Sequence, residues 1–589
     1  MINRIHYYFI RNNLIPLLLI MGLFLIVPFF LQYDLIGVLG LFMPTSIRAW
    51  IVVVWFICLS LYSLSFKSYL VLPKYYGFIF AFPISILIGS LIAGVSLPIE
   101  WLFRMLFILG GLSFLLLLFQ CEFNEKNINR LLLIIVLSAF INVVINVAEI
   151  NFPALLENLL PLATNNETTG AFAQVNVNAS YLATGLLLAF YLLSRPFPYL
   201  RKQSHNSYHY VYLCLLLLTI GLSTYIIIVS ASRVGILSGG IGFMLLLISR
   251  RRQFQKRGVL TLLAIIAIII GIGGATLGNN NFDKLNNKLE NTFEQYSSAR
   301  IGIYQVSIDI IKQKPLLGHG IGSFDSVFVE QAGVYLQQHP NAALSELDYI
   351  NHPHNELLFW AIEAGLVSLI GLLAFSAYII WALISLGGSR GIAYFTLLLP
   401  ISLHTQVELP FYLSALHWFL FLVLIFIVLN HHTYIRKYNP TRYLKLTMRL
   451  MAGLILIIAT MFLVDALRVS SNLIKHQAEA YENKYITDNI ELLKSSLTNI
   501  YYSNHAERSL MTIWGIISII EHNDKDVLAF TVWANNHLKT YPNYIIREKL
   551  LEAYMYLGKR EEICATVNKS IFLHPKRPLF EEIKRVYQC

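Results

Sequence analysis

Residues 259–278 read VLTLLAIIAIIIGIGGATLG, a stretch with no charged side chain. A hydrocarbon core of about 30 Å is crossed by about 20 apolar residues in a helix, so this stretch reads as a membrane-spanning helix. Immediately before it stand Arg250, Arg251, Arg252, Lys256 and Arg257. Basic residues collect in cytoplasmic loops, so the cluster also gives a direction: the helix enters from inside and leaves outside.

Working outward from 259–278, the same criterion finds about thirteen runs. They lie at 13–32, 49–66, 77–98, 101–120, 131–149, 171–193, 210–230, 233–249, 259–278, 355–385, 391–406, 410–429 and 449–467. The runs 233–249 and 391–406 are short, and 355–385 reads as one tilted helix or as a helix plus a re-entrant piece. With Arg4 and Arg11 inside, every second loop falls inside too. Those loops hold Lys67, Lys74, Lys126, Arg130, Arg195, Arg201, Lys202, the 250–257 cluster, Arg390, Arg436, Lys437, Arg442, Lys445 and Arg449. The short outside loops offer Arg48 and Arg233, so the bias is about twenty to two. The odd count places the C-terminus outside. The first run lacks a small-residue cleavage site and reads as a retained helix rather than a signal peptide.

Composition agrees. Of 589 residues, 56% are hydrophobic and 13% charged, against about 25% charged in an ordinary soluble domain. So few charges cannot cover a water-facing surface. The net charge of +11 follows from membrane orientation and not from nucleic-acid binding. The five cysteines form no CxxC pattern, which argues against a structural zinc site. The reading is an all-α polytopic membrane protein of about 12–13 transmembrane helices with a soluble C-terminal α-helical domain. The membrane domain takes 1–467, with a large outside loop at 279–354, and the tail takes 468–589. In the tail, Tyr541-Pro542 and His574-Pro575 bracket Leu551–Gly558 with the prolines 33 apart, which resembles a tetratricopeptide repeat of about 34 residues. Cys564 and Cys589 are either a disulfide or two free thiols.

The residues able to carry chemistry lie on the outside. In the loop, Ile301, Tyr304, Ile308 and Ile311 recur at helical spacing, as in an amphipathic helix lying on the membrane surface. Asn351-His352-Pro353-His354-Asn355-Glu356 closes the loop and opens a helix. His354, titrating near neutrality, suits a general base, although cap and loop roles suit the same residues. Arg233 and Arg300 suit an oxyanion clamp, since guanidinium binds phosphate bidentately; snorkelling to lipid headgroups is the other reading. Gln174, Asn176 and Asn178 precede or open the sixth helix and suit sugar recognition or interhelical hydrogen bonding. His404–Tyr412 forms a further outside loop in which Glu408 and Tyr412 stand.

Together these segments resemble the O-antigen ligase and polymerase superfamily, and within it the bacterial protein O-oligosaccharyltransferases that glycosylate pilins. Pro315-Leu316-Leu317-Gly318-His319-Gly320 with Phe324 is similar to the family's loop motif. His354-Asn355 followed by Gly365 is similar to its catalytic-histidine pattern. Phe172-Ala173-Gln174-Val175-Asn176 resembles the Gln-Pro-Asn segment of the protein-glycosylating branch, with Val175 where the proline stands. His404 and Glu408–Tyr412 resemble that branch's late loop. The resemblance covers about residues 130–430 and the tail.

The resemblance implies transfer of a preassembled oligosaccharide from an undecaprenyl-diphosphate carrier to a Ser/Thr hydroxyl of an exported protein such as a pilin. It implies inversion, no cofactor and no metal. His354 would be the base, Arg233 and Arg300 the diphosphate ligands, and Gln174, Asn176, Asn355, Glu408 and Tyr412 the positioning groups. The expected place is a bacterial inner membrane with the working face periplasmic. Three alternatives stay open: a ligase or polymerase acting on lipid A core or another glycan, a lipid-linked glycan flippase or transporter, and a membrane-anchored scaffold.

Overall fold

The computed structural model describes residues 13–29, 43–153, 168–172, 174–195, 206–277, 297–346, 350–481 and 490–589. A helix occupies each apolar run. These are α1 (Leu14–Met21, continued by tighter and wider turns to Phe29), α2 (Pro44–Leu64), α3 (Ala81–Ala93), α4 (Pro98–Gln120), α5 (Glu125–Asn151) and α6 (Val175–Leu193). There follow α7 (Asn206–Val229), α8 (Arg233–Ser249) and α9 (Gly258–Leu277). The loop region carries α10 (Ser297–Gln313) and α11 (Phe324–Gln338), before α12 (Glu356–Ser385), α13 (Gly388–His404), α14 (Ala415–Leu429) and α15 (Arg442–Tyr481). The tail contributes α16 (Ile490–Ser496), α17 (Ser503–Ile520), α18 (Asp524–Thr540), α19 (Tyr544–Tyr556), α20 (Arg560–Leu573) and α21 (Pro578–Tyr587). Among the described residues ten helices are long and apolar enough to cross a membrane, and α1 and α8 are shorter apolar helices. The chain is an all-α polytopic membrane protein.

It divides into two compact units. The first holds residues 1–81, 107–288 and 373–467, and the second holds 82–106, 289–372 and 468–589. In the first, α6 is buried from Val177 to Leu193 and packs against α5, α7, α8 and α13. Small residues allow the close approach: a Cβ on Gly235 of α8 would stand 2.8 Å from Ala179 Cβ, and one on Gly185 would collide with Ala139. By contrast α9 is largely exposed, as a helix facing hydrocarbon must be.

The loops of this unit sort by charge. Strand β1 (Tyr69–Pro73), after α2, pairs antiparallel with β2 (Thr433–Lys437), after α14, Tyr69 opposite Lys437 and Pro73 opposite Thr433. Gln120, at the end of α4, donates to Val71 O at 2.6 Å and accepts from Val71 N at 3.1 Å. Arg250, after α8, donates to Ser194 Oγ, after α6, at 3.2 Å. Ser389, after α12, donates to Ser249 O at 2.5 Å, and Arg449 donates to Ser65 Oγ at 2.9 Å. These are the basic loops, and they meet at one end of the helices. Helices that return to the same end must come in pairs, so the short runs 233–249 and 391–406 each count as a full traverse. At the opposite end Gln174 meets Glu408 and Asn176 meets Ser232.

The second unit centres on α10 and α11, on the first part of α12, and on the tail. Val527, Phe530, Leu550, Leu551, Ile563, Val567 and Phe580 form one buried cluster shared by α18 to α21. Cys564 and Cys589 are joined in a disulfide with Cα atoms 5.1 Å apart, which settles the choice that the sequence left open. The run 355–385 is two helical pieces: Gly365, at φ 70° and ψ −178°, breaks α12.

Candidate active site

The site of the first unit is built on neutral polar groups. Asn142 and Asn146 stand one turn apart on α5 and Asn178 faces them from α6. Asn142 Nδ2 donates to Asn178 Oδ1 and Asn178 Nδ2 to Asn146 Oδ1, both at 2.7 Å. The same groups grip the incoming chain. Asn178 donates to Thr168 O at 2.9 Å, and Asn142 Oδ1 accepts from Ala171 N at 2.9 Å. Glu149 accepts from Thr169 Oγ1 and Gly170 N at 3.0 Å. Gly170 has φ 57°, and a Cβ there would run into the amides of Asn142 and Asn146. No larger residue fits this bend.

That grip delivers Gln174 and Asn176. Gln174 precedes α6 in extended conformation; its Nε2 donates to buried Glu408 Oε2 at 3.3 Å, and its Oε1 is buried with no hydrogen-bond partner among the described residues. Asn176 Oδ1 accepts from Ser232 Oγ at 2.9 Å. Ser232 caps α8 through Gly235 N, and Arg233 follows it, exposed on the first turn. Ala231, at φ 50°, makes the tight entry that aims this turn. Tyr412 is buried and stacks on Phe107 at 5.9 Å. Ala173 lies outside the described residues.

Beneath lies a cluster of which sequence reading named only His404, placed there in an outside loop and here the buried last residue of α13. Ser180 Oγ is 2.8 Å from His404 Nδ1 and 3.2 Å from His417 Nε2, and all three residues are fully buried. His417 Nε2 also meets Val177 O at 3.1 Å. The signal was available: a histidine inside an apolar run such as 410–429 is itself a pointer. Asn142, Asn146 and Glu149 in the run 131–149 are the same kind of signal.

In the second unit the glycine-rich motif and the histidine motif interlock. Residues Pro315–Gly320 lie along the break at Gly365. Pro315 O accepts from Leu366 N at 2.8 Å and Leu316 O from Val367 N at 3.1 Å, while His319 N and Gly320 N donate to Ile362 O and Glu363 O at 2.9 Å. A Cβ on Gly365 would run into Leu316 O, and one on Gly318, at φ 71°, would stand 2.6 Å from Glu363 O. Both positions need glycine for left-handed backbone and for close approach. His319 Nε2 lies 3.0 Å from Ile310 O; burial lowers its pKa from the usual histidine value.

The break leaves a short helix, Glu356–Ala364, with His354 and Asn355 at its start. Asn355 Oδ1 accepts from Leu358 N at 3.0 Å, so this residue caps the helix in the usual way. His354 is partly exposed and has φ 51°, a backbone that a non-glycine side chain adopts at a cost and that clusters at functional sites. Its ring lies 4.3 Å from that of His352. Arg300 stands half-buried in the first turn of α10. That helix forms where the spacing places it, and the stripe read from the sequence is its outer side: Ile301 and Ile308 are exposed, while Ala299, Ile303, Val306 and Ile310 are buried. Both faces are apolar, and periodicity alone does not choose between them.

The expected site residues therefore fall into two sets. Gln174, Asn176, Arg233, Glu408 and Tyr412 belong to the first unit, with Gln174 and Glu408 in contact and Asn176 beside the turn that carries Arg233. His354, Asn355 and Arg300 belong to the second.

A family model described as O-Antigen ligase matches residues 215–375, a range that takes in Arg233, Arg300, the glycine turn, His354 and Gly365. These matched residues support the O-antigen ligase superfamily. A second model, described as Virulence factor membrane-bound polymerase, C-terminal, matches residues 392–584, which hold Glu408, Tyr412 and nearly all of the tail. Both support glycosyl transfer of the ligase or polymerase type by a membrane enzyme. No curated protein matches the chain.

Proposed function

We propose that this protein transfers a preassembled oligosaccharide from an undecaprenyl-diphosphate carrier to a hydroxyl of an exported protein. The O-antigen ligase superfamily uses lipid-linked glycan donors, which supports the donor class. The observation that carries the reading is His354: an imidazole held in left-handed backbone, at the start of a short helix whose other end is locked by the family's glycine motif. In this reading the acceptor oxygen attacks the anomeric carbon and its proton passes to His354. The bond from that carbon to the diphosphate oxygen breaks, and its electron pair leaves with the diphosphate. Arg233 and Arg300 neutralise that charge, and one displacement inverts the anomeric centre. Gln174, with a buried carbonyl unsatisfied among the described residues, and Asn176, Glu408 and Tyr412 position the sugar or the acceptor.

The working face is periplasmic in this proposal. Support comes from the basic loops gathered at the other end and from the Cys564–Cys589 disulfide, a bond that persists in oxidising compartments. The tail, as a tetratricopeptide-like domain, would present the acceptor. A second reading is favoured by the match of residues 392–584 to a polymerase C-terminal model: the acceptor is then another glycan.

Glycoproteomics of wild type, deletion and His354→Ala strains tests both. Loss of an O-linked glycan from exported proteins in the last two supports protein transfer; loss from glycan or lipid acceptors alone supports the second reading. Full activity of His354→Ala at normal expression sinks the mechanism. Arg233→Lys and Arg300→Lys should each lose most activity, because ammonium lacks the guanidinium fork.

A further inference from the structure

Sequence reading passed over Arg104, in the second turn of α4, and Glu363, near the end of the short helix. A charge inside an apolar run marks function by default, and these two find each other. Arg104 NH1 lies 3.3 Å from Glu363 Oε2, with only 15% and 1% of the two side chains exposed. The guanidinium also lies over Phe359 at 5.0 Å and Trp360 at 5.5 Å, both on the short helix. Its charge acts on Glu100, one turn back on α4, and on Glu356, one of whose oxygens is buried without a hydrogen-bond partner. Asp325 faces Glu363 as well.

Glu363 is a junction. Its Oε1 accepts from Gly322 N at 3.0 Å, and its carbonyl accepts from Gly320 N at 2.9 Å. One residue thus fastens the glycine turn and Arg104 to the end of the short helix.

We propose that Arg104 is a positioning residue for glycan transfer: through Glu363 it fixes the short helix that presents His354 at its other end. This rests on the reading of His354 as the base. Without the guanidinium, Glu363 is a buried carboxylate held, among the described residues, by the Gly322 N–H. It must gain a proton or turn away, and either change loosens the glycine turn. The short helix can then pivot at Gly365. Its far end lies about 13 Å away at 1.5 Å per residue, so a pivot of a few degrees displaces His354 by about 1 Å, enough to cost about 100-fold in rate.

The test uses the full chain in proteoliposomes, with a synthetic polyprenyl-diphosphate oligosaccharide as donor and a Ser/Thr-containing peptide as acceptor. Release of polyprenyl diphosphate gives kcat and KM. Arg104→Ala should lower kcat about 100-fold and leave the donor KM within about twofold. Arg104→Lys should recover to within about tenfold of wild type, since the pair rests on charge at 3.3 Å and a point charge can replace it. In a His354→Ala background Arg104→Ala should lower the residual rate no further, because residues acting as a unit are not additive. Equal losses in both backgrounds overturn the proposal. Wild-type kcat in Arg104→Ala, with His354→Ala inactive, overturns it and leaves the proposed function standing. Full activity of His354→Ala removes the proposed function and this proposal with it. If Arg104→Ala does not fold, Glu363→Gln carries the test: it keeps an acceptor for Gly322 N but loses the charge. It should lower kcat about tenfold at unchanged KM; wild-type kcat overturns the proposal.

Discussion

The polar network of the first unit and the Arg104–Glu363 junction of the second bury polar groups differently. The network between α5, α6, α13 and α14 uses neutral groups: the Asn142, Asn146 and Asn178 amides, and Ser180 with His404 and His417; the buried charges of that unit, Glu149, Glu408 and Lys67 paired with Glu122, stand apart from these bonds. The second unit uses charge, Arg104 with Glu363, and adds the covalent Cys564–Cys589 bridge. A neutral amide left without one partner loses a hydrogen bond. A buried carboxylate left without its cation becomes an isolated charge, which is far more costly. The Arg104–Glu363 pair of the second unit should therefore be brittle toward single substitutions, and the asparagine network of the first unit more tolerant.

The largest effect that sharpens this contrast is expected at Glu363. Glu363→Ala removes the buried carboxylate that pairs with Arg104 and should destabilise by about 3–5 kcal/mol, read by thermal unfolding of the full chain in detergent. A loss under about 1 kcal/mol, the scale of an exposed pair, would show that the charge is not in fact buried. Next comes the bridge. Cys564→Ser with Cys589→Ser should cost about 2–4 kcal/mol and open the tail to proteolysis near α20 and α21, leaving the first unit intact; simultaneous cleavage of both units would break the contrast. In the first unit, Asn178→Ala removes three side-chain hydrogen bonds and should cost about 1–3 kcal/mol, less than the loss at Glu363. A cost equal to that of Glu363→Ala would erase the distinction.

The smallest effect is one of pH. In the tail, burial lowers the His505 pKa to about 3 and the His537 pKa to about 4, with Arg508 adding to both. Each is held neutral in the folded domain but takes a proton near pH 6.5 when unfolded. The unfolded state then binds more protons below that value, so this stability is complete above about pH 6.5 and falls as the pH drops toward 4. Melting temperature should decline over that window in wild type, and the slope should lessen in His505→Gln and His537→Gln. An unchanged slope would mean that neither ring is buried in solution.

Much of this was legible from the sequence. Apolar runs and basic clusters gave the helices and their alternation, because hydrophobic length and loop charge are local properties. His354 with Asn355 could be placed at a helix start, because a cap is read from neighbours in the chain. Gln174, Asn176 and Glu408 could be placed at one end of the helices by counting traverses. Arg104, Glu363 and His417 were passed over: each looked like a lone polar residue in an apolar run, and their partners lie far along the chain.

What the sequence determined by itself is the alternation of the chain across the membrane and the end at which its polar residues emerge. Both follow from transfer free energies summed over short stretches. The tertiary structure decided which residues meet: that residues 315–320 close the break at Gly365, that one face of α10 is buried and the other free, that Cys564 reaches Cys589, and that Arg104 finds Glu363. Those outcomes depend on hydrogen bonds, steric fit and charge pairing between segments up to hundreds of residues apart, and periodicity and composition hold no information about such pairs.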